Sequence, residues 1–272
     1  MDGAVAMNSV KEYASNLSDE QWRLVKKLIP KAKKRGRKPI DRRQIINAVL
    51  YWNRTGCQWR YLPSDFPNWN TVYGVFRQWR IDGTWQRIHE RLREMVRKSE
   101  GKKPTPTAAI IDSQSVKTAE GGEQREYDAA KKITGRKRHI AVDTLGLLLV
   151  VVVHAADLQD YEGAHFVLHR IKDRFRRLKV VFADSAYGKC GLPDWAQSTC
   201  RVLLQTVLRP VNVKGFVVLP KRWIVERTFA WMNRHRRLSK DYERLTETSE
   251  TAIYIAMIDL MTRRLARKKT AF

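Results

Sequence analysis

The apolar positions of the chain change their spacing near Glu100. Before that point the period is helical. Ser18 followed by Gln21 reads as a capping box, after which Trp22, Val25, Leu28 and Ile29 mark one apolar face. Asp41 with Gln44 repeats the device ahead of Ile45, Ala48, Val49 and Trp52. Gly56 predicts the end of that helix, and Pro63 and Pro67 mark a loop that ends at Asn68, a predicted N-cap. Trp69, Val72, Tyr73, Phe76 and Trp79 then fall at helical spacing as far as Gly83. A fourth helix, capped by Thr84, carries Trp85, Ile88, Leu92 and Met95. Four short helices with Arg-bearing outer faces make residues 1–100 a predicted helical, helix-turn-helix-like DNA-binding domain. A purely structural bundle has the same pattern.

Lys102, Lys103, Pro104 and Pro106 mark the boundary into a second predicted domain, residues 101–272. Ala108 to Asp112 reads as a short strand, Arg138 to Thr144 alternates, Leu145-Gly146 makes a turn, and Leu147 to Ala156 is β-branched enough for a buried strand. A helix bearing Ala164, Val167, Leu168 and Ile171 follows, then a strand over Lys179 to Ala183 that ends at Asp184. A helix near Leu192 to Ser198, a strand near Arg201 to Leu208 and a helix through Glu226 complete the order. An antiparallel meander followed by alternating helices and strands predicts an α/β (α+β) fold, a ribonuclease H-like mixed β-sheet flanked by helices. The last helix, Ser249 to Arg264, is apolar almost all round, which predicts burial, in part against another subunit.

Charge narrows the partners. Lys and Arg number 53 against 28 Asp and Glu, a net charge of +25, which makes nucleic acid the expected partner. The longest apolar run, residues 145–153, is far short of the roughly 20 residues that a membrane-spanning helix needs. Residues 1–11 carry no apolar core of a secretion signal, and the 3 cysteines, Cys57, Cys190 and Cys200, have no metal-type spacing. They are expected to be reduced packing residues of a cytoplasmic, nucleoid-associated protein. Residues 31–39 form a basic linker whose Arg35-Gly36-Arg37 core, followed by Lys38, resembles a minor-groove hook; a solvated linker touching phosphates accounts for it as well.

Against this basic background three acids stand out. Asp112 and Asp184 each follow a short hydrophobic strand, and adjacent strand ends can converge on one sheet edge. Glu226 lies in Trp223-Ile224-Val225-Glu226-Arg227-Thr228-Phe229; on a helical wheel Val225, Phe229 and Met232 stack on the face expected to dock on the sheet, and Glu226 lies opposite. A glutamate near a helix start is also an ordinary dipole partner. Clustered oxygen ligands are what hard divalent cations need. Asp143, Asp157 and Asp160 fit turn and loop roles, and His139 and His154 fit packed positions. Lys137, Arg138, Arg222, Arg234, Arg236 and Arg237 are candidate phosphate contacts.

Residues 110–117 (Ile-Ile-Asp-Ser-Gln-Ser-Val-Lys), 135–146, 183–187 (Ala-Asp-Ser-Ala-Tyr) and 222–231 together resemble the blocks of bacterial DDE transposases of the insertion-sequence-five type, related to the insertion-sequence-four superfamily. Residues 17–22 and 54–63 resemble that group's helical domain. The resemblance implies a ribonuclease H-like catalytic domain in which Asp112, Asp184 and Glu226 are the catalytic, metal-binding acids. It also implies Arg222 four residues before the glutamate, with an aromatic and a lysine at positions that here hold Leu219 and Asn233. In such chemistry two Mg²⁺ ions roughly 4 Å apart, or Mn²⁺ in their place, serve attacking and leaving oxygens. The implied partners are double-stranded DNA, as element ends and as target, and a second protomer in a homodimer or higher oligomer. The alternative is a transposase-derived protein that binds element ends as a repressor without cutting; a structure-specific nuclease on the same fold is a third reading.

Overall fold

The computed structural model describes residues 12–30, 40–207 and 221–270. The basic linker and Leu219 lie outside them, and with the linker the candidate contacts Arg35, Arg37 and Lys38.

Helices α1 (Asp19–Lys26), α2 (Arg42–Thr55), α3 (Trp69–Ile81) and α4 (Thr84–Ser99) match the four predicted segments. The Ser18–Gln21 capping box is complete. At α2 the cap is simpler than expected: Asp41 accepts from the Arg43 amide at 2.8 Å, and Gln44 takes no part. Asn68 caps α3 as predicted, whereas Thr84 is the first residue of α4 and Asp82 accepts from its amide at 3.0 Å. Gly56 ends α2 at φ +76°, and a Cβ there would lie 3.2 Å from the backbone of Arg236 and Arg237. Both the left-handed conformation and the close approach require glycine.

The sheet contains β1 (Ala108–Lys117), β2 (Glu126–Asp128), β3 (Ile133–Asp143), β4 (Leu148–Ala155), β5 (Val180–Ala183) and β6 (Leu203–Thr206). Its main order is β4-β3-β1-β5-β6, with the short β2 beside the start of β3. β1 and β3, and β3 and β4, pair antiparallel, while β1, β5 and β6 run parallel. The meander and the mixed sheet are therefore as expected. Two features differ. β2 was not anticipated, and β1 continues five residues past Asp112, so that acid lies within a strand rather than at its end. Ser113 to Lys117 have weak strand preference, but Asp112 to Lys117 pair with β3 beyond the place where β5 stops. The sheet narrows at Asp112, and this exposes its edge.

Period-two alternation sends Ala109, Ile111 and Val181 to one face and Ile110, Ile140, Val142 and Phe182 to the other. The first face is covered by α5 (Asp160–Lys172), through Ala164, Val167, Leu168 and Ile171, and by α6 (Leu192–Trp195). The second is covered by α7 (Arg222–Met232) and α8 (Thr246–Thr270). The apolar girdle of α8 is buried inside the chain, against α1 to α4, β4 and α7. No second subunit is needed to cover it. One apolar core thus runs from Leu17 through the sheet to Leu265 and joins the early helices to the later layers.

Candidate active site

Asp112 stands opposite Ile140 on β3 and, like Ile110, points to the α7 side of the sheet. Asp184 follows β5 by one residue. Because Ile110 pairs with Phe182 in parallel register, the two aspartates emerge at the same height. Each is fixed by backbone: the Ser113 amide donates to Asp112 Oδ1 at 2.7 Å, and the Ala186 amide to Asp184 Oδ1 at 2.9 Å.

Helix α7 supplies the third acid. Ile224, Val225, Thr228, Phe229 and Met232 are buried, while the Thr228 hydroxyl donates to the Gly146 carbonyl at 2.9 Å and secures the helix to the β3–β4 turn. Glu226 is left on the exposed side, as the wheel predicts. One turn earlier, Arg222 Nη2 lies 3.9 Å from Asp112 Oδ2, 3.8 Å from Asp184 Oδ2 and 3.9 Å from Glu226 Oε1. All three acids meet around one guanidinium nitrogen. As the side chains stand, no group of three His, Cys, Asp or Glu among the described residues closes to the geometry of a single metal ion. The donor set is nevertheless of hard oxygen type, and a cation already occupies its centre.

Burial raises the Asp112 carboxyl to about 6; the Ser113 amide and the Arg222 charge pull it the other way, and Asp184 adds to the rise. Behind it, on the α5 side, the Ser113 hydroxyl donates to Asp160 Oδ1 at 2.7 Å, and Lys137 Nζ lies 3.2 Å from the same oxygen. The Tyr187 hydroxyl meets His139 Nε2 at 2.8 Å, and His139 Nδ1 lies 3.4 Å from His154 Nε2. Burial lowers His139 to about 3, so the imidazole is neutral. The Tyr187 amide also donates to the Asp184 carbonyl at 3.3 Å, which ties the Asp184 turn to this buried network. Tyr187 gave no signal by charge or periodicity; only its place in the Ala-Asp-Ser-Ala-Tyr block drew notice. Asp143 is confirmed in a turn role, accepting from the Leu145 and Leu147 amides.

The expected phosphate contacts divide. Lys137 is 4% exposed, Arg138 1% and Arg237 8%, so these three are corrected as surface phosphate contacts: strand register turns Lys137 and Arg138 inward, and Arg237, in the turn after α7, is held by interior partners. Lys137 donates to the Leu158 carbonyl, Arg138 to those of Leu238 and Lys240, and Arg237 to Glu243. Arg234 and Arg236 are exposed. Asn233, where the resemblance implies lysine, lines a cleft of about 410 Å³ together with Lys117 and Lys240, so cationic side chains stand beside it. Of the cysteines, Cys200 is buried and Cys57 half-buried, but Cys190 is exposed and not a packing residue; none is disulfide-bonded.

No helix among the described residues is long and apolar enough to cross a membrane. Residues 17–89 match a family described as "Putative transposase of IS4/5 family". A Burkholderia cepacia protein, "Insertion element IS402 uncharacterized 16.2 kDa protein", is 30% identical over 115 residues, 40% of this chain and 77% of that one. A second from the same organism, "Putative transposase for insertion sequence element IS402", is 29% identical over 122 residues, 40% of this chain and 54% of its own length. Residues 103–260, which carry all three acids and the strands and helix that bring them together, match the family described as "Transposase DDE domain", and the chain belongs to that family of DNA transposases.

Proposed function

We propose that this protein binds the ends of an insertion element and cleaves and joins DNA strands at the cluster of Asp112, Asp184 and Glu226, which holds divalent metal, Mg²⁺ or Mn²⁺. The observation that carries the reading is the convergence of three carboxylates, from β1, the turn after β5 and α7, on Arg222 Nη2 at 3.8 to 3.9 Å. An end-binding repressor would not require it.

A phosphodiester is already anionic, so the site must stabilise further negative charge as a water or a 3′-hydroxyl attacks in line. Bound metal would activate the attacking oxygen and stabilise the leaving one. Asp112 is held by the β1–β3 ladder, Asp184 by its own turn and Glu226 by a helix packed on the sheet. Arg222 balances the three carboxylate charges, and the three acids would hold the divalent metal that stabilises charge on the scissile phosphate. Exposed Arg234, Arg236 and Lys240 contact the flanking phosphates, and the helices of the first hundred residues contribute end binding. Recombination of two element ends calls for two protomers, assembled on nucleoid DNA.

The test compares wild type with Asp184→Ala on labelled element-end duplex with Mg²⁺. Wild type nicks and joins; the variant binds with similar affinity and does neither. Equal residual nicking by both, with binding intact, refutes the catalytic assignment in favour of the repressor.

A further inference from the structure

The chain from Arg54, at the end of α2, to Pro63 forms, together with the start of α3, one wall of a cleft of about 620 Å³ whose other wall is the chain between α7 and α8 and the loop after β1. The first wall presents Trp59, Arg60, Trp69 and Tyr73; the second presents Arg244 and Glu123.

The aromatic wall is built in layers. Trp59 stacks on the buried Trp52 with ring centroids 4.3 Å apart and planes 13° from parallel. Tyr73 meets Trp59 edge-on at 5.5 Å, and it remains 38% exposed. The Arg60 guanidinium lies 4.8 Å over the Trp69 ring. Trp52 thus fixes Trp59 from behind, while flat rings and a guanidinium plane line an open cleft. Such surfaces favour another flat ring.

The charge limits which ring. Arg60 and Arg244 stand at the cleft, and the whole chain carries +25, which favours a ring attached to a phosphate chain. Glu123 Oε1 lies 4.0 Å from Arg244 Nε, at the limit of an ion pair, and retains capacity to accept from an exocyclic amine. Position adds a third argument. The strand β1 leads from Asp112 to Lys117, roughly 16 Å at 3.3 Å per residue, and the chain then docks on the second wall through the Glu123 amide and the Arg244 carbonyl. The cleft therefore lies beyond the end of β1 toward which the acids also emerge.

We propose that this cleft takes an unstacked nucleobase from a single-stranded stretch of DNA whose backbone passes the catalytic acids. A base inside a duplex has both faces covered and cannot enter, so the site distinguishes a frayed or flanking single strand from a blunt duplex. The proposal rests on the reading of the chain as a DNA-acting transposase, but it concerns residues remote from the acids.

The experiment uses the full chain in the Asp184→Ala background, so that no cleavage disturbs binding, and titrates it into a blunt duplex and into the same duplex with a single-stranded flank carrying one 2-aminopurine. The expected result is about tenfold tighter binding of the flanked DNA, with quenching of the 2-aminopurine by stacking. Trp69→Ala and Tyr73→Ala should each reduce that preference to below twofold, and Trp69→Phe, which keeps a ring, should restore part of it. Thermal unfolding of each variant reports whether the fold survives, and the Trp69→Phe comparison holds even if an alanine variant unfolds. No preference in the parent protein, or full preference in Trp69→Ala and Tyr73→Ala, overturns the proposal. So does a loss of dimer in those variants with flank preference unchanged, which would assign the cleft to a second copy of the chain. Failure of Asp184→Ala to abolish nicking would instead refute the catalytic reading and leave the flank preference standing.

Discussion

The arginines of β3 and Arg222 of α7 lie on the same side of the sheet and behave in opposite ways. On β3, Arg136 is fully buried and donates to the carbonyls of Glu123, Glu243 and Arg244, while Arg138 donates to those of Leu238 and Lys240. These guanidiniums pin the segment between α7 and α8 onto the sheet. On α7, Arg222 keeps about 4 Å from every acid and, among the described residues, has no comparable set of carbonyls. A positive charge on the α7 side of the sheet is therefore either locked to main-chain carbonyls or left facing the acids according to its burial and partners, and neither net charge nor proximity in sequence tells which. Arg136 and Arg138 follow the alternation that buries Ile140 and Val142.

The largest effect should come from removing a pin. Arg136→Ala leaves the carbonyls of Glu123, Glu243 and Arg244, of which that of Glu243 is buried, and the buried Asp241 carboxylate, 3.3 Å away, without their partner, and should lower unfolding free energy by about 3–5 kcal/mol in urea titration. A loss below about 1 kcal/mol would break the contrast. An effect of opposite sign is expected at Asp112. Folding raises its carboxyl from 3.8 to about 6, so the folded state binds the proton more tightly and stability falls as pH climbs through that interval. Asp112→Asn should therefore stabilise the metal-free protein at pH 7, by on the order of 2 kcal/mol. The gain should vanish below about pH 4, and a thermal melt at pH 7 that is lower than wild type would contradict it. Arg222→Gln should change stability by less than about 1 kcal/mol, because its ion pairs are long and partly exposed, while abolishing strand cleavage in the nicking assay.

Much of this arrangement was legible in the sequence. Capping at Ser18 and Asn68, the stop at Gly56, the β-branched run of β4 and the exposed side of α7 follow from local rules, and local chemistry won at those places. Three things were not legible. The arm from Ser113 to Lys117 is polar and strand-poor, and only its ladder to β3 makes it a strand. Lys137, Arg138 and Arg237 look like surface cations because no local rule shows that their partners are main-chain carbonyls and a carboxylate up to about a hundred residues away. The Tyr187–His139 contact joins β3 to the turn after β5, and neither residue's neighbours mark it. For the candidate site the sequence singles out the three acids that meet at Arg222, but not the contacts that support them.

The smallest effect bears on the α7 side of the contrast. Arg234 and Arg236 are exposed, and cations that meet phosphates release counterions. Each of Arg234→Ala and Arg236→Ala should reduce the slope of log affinity against log salt by about 1 and weaken binding evenly across DNA sequences. Arg138→Lys serves as the control from β3. That variant keeps the charge but loses the fork that reaches Leu238 and Lys240 together, so it should lower the melting temperature and leave the salt slope where it was. A slope that fell in Arg138→Lys and held in Arg234→Ala would reverse the assignment, because counterion release counts only charges that meet the phosphate backbone, however many others the fold contains.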